Sequence, residues 1–141
     1  MDNFNNKIAV VTGGGTGMGR ELVLQLANEG CNVSMCDVIE ENMQETFDKA
    51  TEQFPDVKIT KHICDVSNEN DVIRFKDEVI AQQETDHVNL LFNNAGIGGG
   101  GSFIHSSREE WDRVFAVCWH GVYYCSRAFM PYILASEEAH I

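Results

Sequence analysis

The residues best suited to chemistry are the glycines of one short segment, Thr12-Gly13-Gly14-Gly15-Thr16-Gly17-Met18-Gly19. This segment follows the apolar run Ile8 to Val11 and leads into a helical pattern from Gly17 to Glu29, so it predicts a strand, a tight turn and a helix start. Glycine has no Cβ, and a turn built from it can approach a phosphate closely. The N-terminus of the following helix offers free N–H groups and a partial positive charge. The segment therefore predicts a dinucleotide-binding turn.

The spacing of these glycines distinguishes between several known kinds of phosphate-binding motif. No register of Gly13 to Gly19 satisfies G-x-G-x-x-G, and the lysine of a P-loop is absent. The pattern present is T-G-x-x-x-G-x-G. A plain glycine-rich loop is the alternative that this spacing alone leaves open.

A carboxylate at the end of the predicted second strand favours the dinucleotide interpretation. Asp37 follows Gly13 by 24 residues, close to the ~20 typical of the acidic group that bonds an adenosine ribose. Such a carboxylate accepts bonds from the ribose hydroxyls and repels a 2′-phosphate. Thr16 and Val38 stand where a 2′-phosphate would need a cation. We therefore expect NAD rather than NADP, with an exposed strand-end aspartate as the alternative.

The elements that must position these residues alternate along the chain. Strands are predicted at Ile8–Val11, Cys31–Asp37, Val57–Ile63 and Val88–Phe92, the third being an outer strand with one solvated face. Two helices are predicted at Gly17–Glu29, which Gly30 ends, and at Glu40–Phe54. A third helix is predicted to follow an N-cap at Ser67, and a fourth to start with a capping box at Ser107 to Glu110. The last helix has a predicted inner stripe of Trp111, Val114, Phe115, Cys118, Val122, Cys125 and Phe129. Alternating strands and helices predict an α/β fold, a Rossmann-type doubly wound parallel sheet with helices on both faces.

Composition narrows the function classes. The 141 residues fit one domain, and the net charge of −12 disfavours nucleic-acid and anionic-membrane partners. The five cysteines form no C-x-x-C pair, so we expect reduced, mostly buried thiols and no metal site. The N-terminus has no secretory pattern, and we expect a cytoplasmic protein.

Four motifs, in order and at fitting spacing, resemble one family. They are Thr12 to Gly19, Asp37, the pair Asp65-Val66 after strand three, and Asn93-Asn94-Ala95-Gly96 after strand four. The chain resembles the N-terminal, cofactor-binding portion of a short-chain dehydrogenase/reductase of the T-G-x-x-x-G-x-G subclass. The helix stretch Trp111 to Phe115 is also similar to that family's fourth crossover helix.

The resemblance implies a role for each matching residue. The glycine turn would wrap the pyrophosphate, Asp37 would hold the adenosine ribose, Asp65 would bond the adenine amino group, and Val66 would pack on the ring. Asn94 would stabilise the sheet rather than touch the cofactor. The implied cofactor-binding residues are Gly13, Gly15, Thr16, Gly17, Met18, Gly19, Asp37, Asp65, Val66, Asn93, Ala95 and Gly96.

The resemblance stops before the family's catalytic Ser, Tyr and Lys, the last two of which form Y-x-x-x-K. The chain ends at Ile141, where strand five should begin, so we expect residues 1–141 to hold no catalytic residue. Tyr123-x-x-x-Arg127 has similar spacing but lies in the wrong helix, and we interpret it as two residues one helical turn apart. Cys118 stands where the family usually has Asn, a position whose backbone carbonyl makes the main contact in the family's proton relay. His105, in the loop rich in glycine from Gly98 to Gly101, is interpreted as a solvent-exposed residue.

These expectations define the leading function and its alternatives. The complete protein would interconvert a secondary alcohol and a ketone by hydride transfer with NAD. It would be a homo-oligomer whose subunits contact one another through the last helix. A non-catalytic dinucleotide-binding or redox-sensing module is the alternative, whereas a longer-subclass epimerase would need T-G-x-x-G-x-x-G, which Thr16 and Met18 contradict. Without strand five, we expect Val88 to Phe92 to form a bare apolar edge that promotes aggregation.

Overall fold

Strands and helices alternate throughout the structure, a computed structural model that describes residues 3–99, 101–102 and 104–141. The elements are β1 (Ile8–Thr12), α1 (Gly17–Asn28), β2 (Asn32–Asp37), α2 (Glu40–Gln53), β3 (Ile59–Ile63), α3 (Glu69–Gln83), β4 (Leu90–Phe92), α4 (Arg108–Phe115), a π-helical turn (Ala116–His120) and α5 (Gly121–Leu134). All strand pairs are parallel, and the sheet order is β3-β2-β1-β4. The predicted doubly wound parallel sheet is confirmed.

The two faces of the sheet carry separate apolar cores, because successive strand residues point to opposite sides. On β1, Val10 joins the core formed with Phe75 of α3 and Phe129 of α5. Ala9 and Val11 join the opposite core, which contains residues of α1 and α2. All of β1 is buried, as expected for a strand with a neighbour on each side.

Two predicted helix ends are confirmed by their hydrogen bonds. Gly30 has φ +78°, and its N–H donates to Ala27 O while Cys31 N donates to Leu26 O, the Schellman pattern that ends α1. At the start of α4, Ser107 Oγ accepts from Glu110 N and the Glu110 carboxylate accepts from Ser107 N, which forms the predicted capping box.

The predicted cap of the third helix is wrong by one residue. Asn68 is the N-cap of α3, and its side-chain oxygen accepts from Asn70 N and Asp71 N. The hydroxyl and N–H of Ser67 instead donate to Asp65 Oδ1, so this serine is committed to the loop before the helix.

The third strand lies at the sheet edge as predicted, but its solvated face is different. His62 is 2% exposed whereas Ile63 is 42% exposed, the reverse of the apolar–polar pattern. The reason is the register: His62 lies opposite buried Cys36 and packs against Phe75, 5.2 Å between ring centroids. The predicted starts of three strands are also too early: β2, β3 and β4 begin one or two residues later than the apolar pattern predicts.

The predicted inner stripe of the last helix is correct only in its second half. Cys125 and Phe129 are buried, but Trp111, Phe115 and Val122 are 48%, 43% and 40% exposed. The π-helical turn between α4 and α5 inserts a residue, so the face that starts at Trp111 does not continue into α5. None of the described helices is long and apolar enough to cross a lipid bilayer.

The prediction that the outer edge of β4 is bare is wrong. Leu91 N donates to His140 O, His140 N donates to Asn89 O, and Leu90 and His140 form a parallel bridge. The side chains of Val88, Leu90 and Leu91 are buried. The described chain therefore already covers part of this edge.

Candidate dinucleotide-binding site

The glycine turn joins β1 to α1 in a conformation that other residues would strain. Gly13 has φ +68° and Gly17 has φ +54°, both in the left-handed region. A Cβ on Gly19 would lie 1.9 Å from Gly13 O, so the first helical turn can approach β1 only with glycine there. Thr16, the N-cap of α1, makes no side-chain cap bond, and the first turn of α1 carries no acidic residue. The N–H groups at this helix start can therefore face an anion.

Arg20, which had no predicted role, holds the glycine turn through hydrogen bonds to a backbone carbonyl. Arg20 Nη2 and Nε donate to Gly15 O at 2.7 and 3.1 Å, and Arg20 also forms a two-bond ion pair with Glu45 on α2. Thr46 Oγ1 donates to the same carbonyl at 3.0 Å. The neighbouring cations Lys49 and Arg20 hold the pKa of Glu45 below its usual value. Arg20 of α1 and Thr46 of α2 thus fix the peptide at Gly15, a contact between distant segments that no local motif signals.

The predicted ribose carboxylate is bonded directly to the glycine turn. Asp37 Oδ2 accepts from Gly15 N at 3.0 Å, and Asp37 Oδ1 accepts from Ile39 N at 3.2 Å. Gly14 N donates to Cys36 O, which ties the same turn to the end of β2. The phosphate-binding turn and the carboxylate therefore form one hydrogen-bonded unit.

The loop after β3 supplies a second carboxylate beside an apolar wall. Asp65 Oδ1 accepts from Ser67 N at 2.9 Å and from Ser67 Oγ at 2.6 Å. Val66 is buried against α5, where a Cβ on Gly121 would come within 2.8 Å of Val66 Cγ2. The arrangement offers an oxygen acceptor and a flat apolar contact side by side.

The segment after β4 is held against the glycine turn through Thr12 and Asn94. Asn94 Nδ2 donates to Thr12 O and Gly13 O, and Thr12 Oγ1 accepts from the N–H groups of Asn94 and Ala95. These bonds hold Asn94 against the end of β1, as expected of a residue that stabilises the sheet, although Asn94 also lines the cleft. Asn93 Nδ2 donates to Ser126 Oγ, while its buried Oδ1 has no hydrogen-bond partner within the described residues.

These segments surround one cleft of about 600 Å³ at the carboxyl ends of the strands. Nine of the twelve predicted cofactor-binding residues line it: Gly13, Thr16, Met18, Gly19, Asp37, Asp65, Val66, Ala95 and Gly96. The other three, Gly15, Gly17 and Asn93, do not; Gly15 is turned towards Asp37 and Arg20, and Asn93 towards Ser126. Val38, Ile39, Val117 and Arg113 also line the cleft and had no predicted role as contacts.

The floor of the cleft is uncharged. Cys36 and Cys64 are buried and line it, and both are free thiols. A hydrogen bond with Cys64, together with burial, raises the pKa of Cys36 well above its usual value. The prediction that the cysteines are mostly buried is confirmed: four of the five are buried, and Cys118 is the exposed exception.

Cys118 lies in the π-helical turn, beside the segment after β4. Its Sγ is 3.5 Å from Ile97 O, and a Cβ on Gly96 would lie 3.7 Å from it. π-Turns of this kind occur often at functional sites. Tyr123 and Arg127 lie one turn apart on α5, as interpreted from their spacing, with Arg127 Nη1 3.3 Å from the Tyr123 hydroxyl. His105 is exposed, whereas Gly100 of the preceding loop lies outside the described residues.

The comparisons with known proteins identify the family. The profile described as short chain dehydrogenase matches residues 7–141. The chain belongs to the short-chain dehydrogenase family. Short-chain dehydrogenases with a similar sequence include the oxidoreductase SadH of Mycobacterium tuberculosis, 33% identical over 141 residues (100% of this chain, 50% of that protein). Meso-2,3-butanediol dehydrogenase of Serratia marcescens is 31% identical over 134 residues (95% and 51%).

Solved short-chain dehydrogenase structures resemble the whole described fold. One from Burkholderia phymatum in complex with NAD has a TM-score of 0.91 and 35% identity, covering 100% of this chain and 49% of that one. A metagenomic short-chain oxidoreductase in complex with NADP has a TM-score of 0.87 and 28% identity, covering 98% and 61%. Both nicotinamide dinucleotides therefore occur among these neighbours. The chain spans about half the length of the curated relatives it matches.

Proposed function

We propose that this chain is the cofactor-binding portion of an NAD-dependent oxidoreductase, residues 1–141 forming part of a single domain. The observation that carries the proposal is the 3.0 Å bond from Gly15 N to Asp37 Oδ2. It fixes the phosphate-binding turn and the ribose carboxylate at a constant separation, as a ligand with a pyrophosphate next to a ribose requires. The start of α1 suits such a ligand, because Thr16 makes no side-chain cap bond and the first turn carries no acidic residue.

Within this proposal each part of the cleft binds one part of the dinucleotide. Gly13, Thr16, Met18 and Gly19 bind the pyrophosphate, while Gly15 and Gly17 give the turn its shape. Asp37 holds the adenosine ribose, Asp65 and Val66 hold the adenine, and Ala95 and Gly96 line the path of the nicotinamide ribose. Asn93, bonded to Ser126, positions that last segment rather than contacting the ligand.

The reaction proposed for the complete protein is the interconversion of a secondary alcohol and a ketone. When bound, the nicotinamide supplies or accepts the hydride. The relative named for meso-2,3-butanediol, a secondary diol, supports this substrate class. In the family the main contact at the Cys118 position is made by the backbone carbonyl, which does not depend on the side chain, so we expect cysteine to be tolerated there.

A preference for NAD follows from the negative charge at Asp37. Asp37→Asn keeps an oxygen that can accept from Gly15 N and removes the charge that repels a 2′-phosphate. We expect the ratio of the NADP and NAD dissociation constants, measured by isothermal titration calorimetry, to fall about 10-fold in this variant, because a hydrogen bond to a charged group is worth about 1.5–3 kcal/mol.

The matched control for Asp37→Asn is Asp56→Asn, a substitution of an exposed aspartate that does not line the cleft. It should leave both dissociation constants unchanged. An unaltered chain that binds NADP as tightly as NAD would contradict the proposed preference.

Turnover separates the enzymatic proposal from a non-catalytic binding module. Residues 1–141 contain no Y-x-x-x-K, so we expect this chain to bind NAD weakly and to show no NAD-linked oxidation of 2,3-butanediol when absorbance at the NADH wavelength is followed. Activity of the longer protein together with inactivity of this chain supports the proposal. Detectable turnover by this chain would contradict our assignment of the catalytic residues to segments outside it.

The homo-oligomer expected for the complete protein stays a prediction, which sedimentation velocity would test. Four aromatic residues on the last helix are exposed and fit such an interface: Trp111, Phe115, Trp119 and Tyr123. Small-molecule alcohols or ketones are the proposed substrates.

A further inference from the structure

One basic residue differs from all the others in its surroundings. Eight of the ten Lys and Arg residues form ion pairs with carboxylates, and Arg127 contacts the Tyr123 hydroxyl. Within the part of the chain that the structure describes, the guanidinium of Arg113 makes neither an ion pair nor a hydrogen bond. Arg113 is also the one Lys or Arg residue among the described residues that line the dinucleotide cleft.

The position of Arg113 along its helix places it at the mouth of the cleft. Gly121 is buried and packs against Val66, Val117 is half-buried and lines the cleft, and Arg113 is exposed and lines it one turn earlier. Exposure therefore rises from Gly121 through Val117 to Arg113 along one wall. The segment of Asp65 and Val66, which Gly121 contacts, lines the same cleft, and the proposed function places the adenine there.

The chemistry of a guanidinium suits a base in that position. Arginine is planar, weakly hydrated compared with an ammonium group, and stacks on aromatic faces. Such a cation–π contact contributes about 0.5–1 kcal/mol at an exposed site and about 2 kcal/mol when desolvated. Arg113 is also an unpaired cation in a protein of net charge −12, and the carboxylates of Asp37 and Asp65 line the same cleft.

We propose that Arg113 covers the adenine at the mouth of the cleft, with the base between its guanidinium and Val66. This inference rests on the proposed dinucleotide function and adds to it a residue that fixes the base. Arg113 acts here on the base and not on the pyrophosphate, which the proposed function places at the start of α1.

The test compares ligands that contain different parts of the dinucleotide. Dissociation constants for NAD, adenosine and nicotinamide mononucleotide are measured by ligand-observed NMR for the unaltered chain and for Arg113→Gln. We expect Arg113→Gln to raise the dissociation constants of NAD and adenosine by a common factor of about 3–10. Binding of nicotinamide mononucleotide, which has a phosphate but no adenine, should not change.

Arg108→Gln is the matched control, because it removes the same charge from the same helix. Arg108 is 81% exposed, pairs with Asp112 and does not line the cleft. Loss of NAD and mononucleotide binding with adenosine unaffected would overturn the inference in favour of a phosphate contact. Equal behaviour of the two variants would overturn it as well. Failure of the unaltered chain to bind any of the three ligands would instead refute the proposed function itself.

Discussion

At the scale of single residues, the geometry of the site depends on glycines, which have no Cβ. Gly19 is the clearest example, since a Cβ there would meet both Gly13 O at 1.9 Å and Asn94 Nδ2 at 2.6 Å. The same asparagine holds the segment after β4 through Thr12 O and Gly13 O. An added methyl group would therefore separate two walls of the cleft at once.

We expect Gly19→Ala to lower the free energy of unfolding by about 1–3 kcal/mol, as overpacking does, and to abolish measurable NAD binding. Urea denaturation and an NAD titration measure the two effects. Gly98→Ala is the matched control, because a Cβ at Gly98 would meet nothing within 4 Å. Equal stability and equal NAD binding of the two variants would show that the close approach at Gly19 is unimportant.

At the scale of elements, local signals were sufficient wherever neighbouring residues determine the structure. The Schellman end at Gly30 and the capping box of Ser107 and Glu110 each need only a few adjacent residues, and both were predicted correctly. The cap of α3 was missed because Ser67 and Asn68 are both good N-caps, and only the bonds of Ser67 to Asp65 decide between them.

Features that join distant segments could not be predicted from the sequence. The Arg20–Glu45 pair links residues 25 positions apart, and nothing adjacent to Arg20 reveals that it holds Gly15 O. The π-helical turn changes which residues of the last helix are buried, and an apolar pattern read at constant helical period cannot show it. The motif residues of the cleft were predictable, whereas the residues that brace or cover it, Arg20 and Arg113, were not.

At the scale of the whole molecule, a buried polar chain connects the sheet edge to α3. Ser34 Oγ and Thr60 Oγ1 are 2.7 Å apart, Thr60 Oγ1 and His62 Nε2 are 2.9 Å apart, and His62 Nδ1 is 2.9 Å from Glu78 Oε2. Burial lowers the pKa of His62 below its usual 6.5, although the Glu78 carboxylate opposes this shift; Arg74 adds to it. The folded protein therefore favours the neutral imidazole.

This shift predicts a loss of stability in acid. The unfolded chain binds the His62 proton at a higher pH than the folded chain, so the free energy of unfolding falls as pH drops below about 6.5 and levels off below the folded-state pKa. The loss is at most about 1.4 kcal/mol per pH unit. Urea denaturation from pH 8 to pH 5 should show a smaller decrease for His62→Gln than for the unaltered protein. Parallel pH profiles would contradict this role of His62.

The measurement that tests the central claim most directly is an NMR titration of the ¹⁵N-labelled chain with NAD, because it detects weak binding and locates it. We predict that amide resonances of Gly13 to Gly19, Asp37, Asp65 and Val66 shift in a saturable manner. Those of Glu52 and Gln53, at the C-terminal end of α2 and not lining the cleft, should not shift. A well-dispersed spectrum that stays unchanged at millimolar NAD, or shifts confined to residues outside the cleft, would contradict the assignment of this cleft as a dinucleotide-binding site.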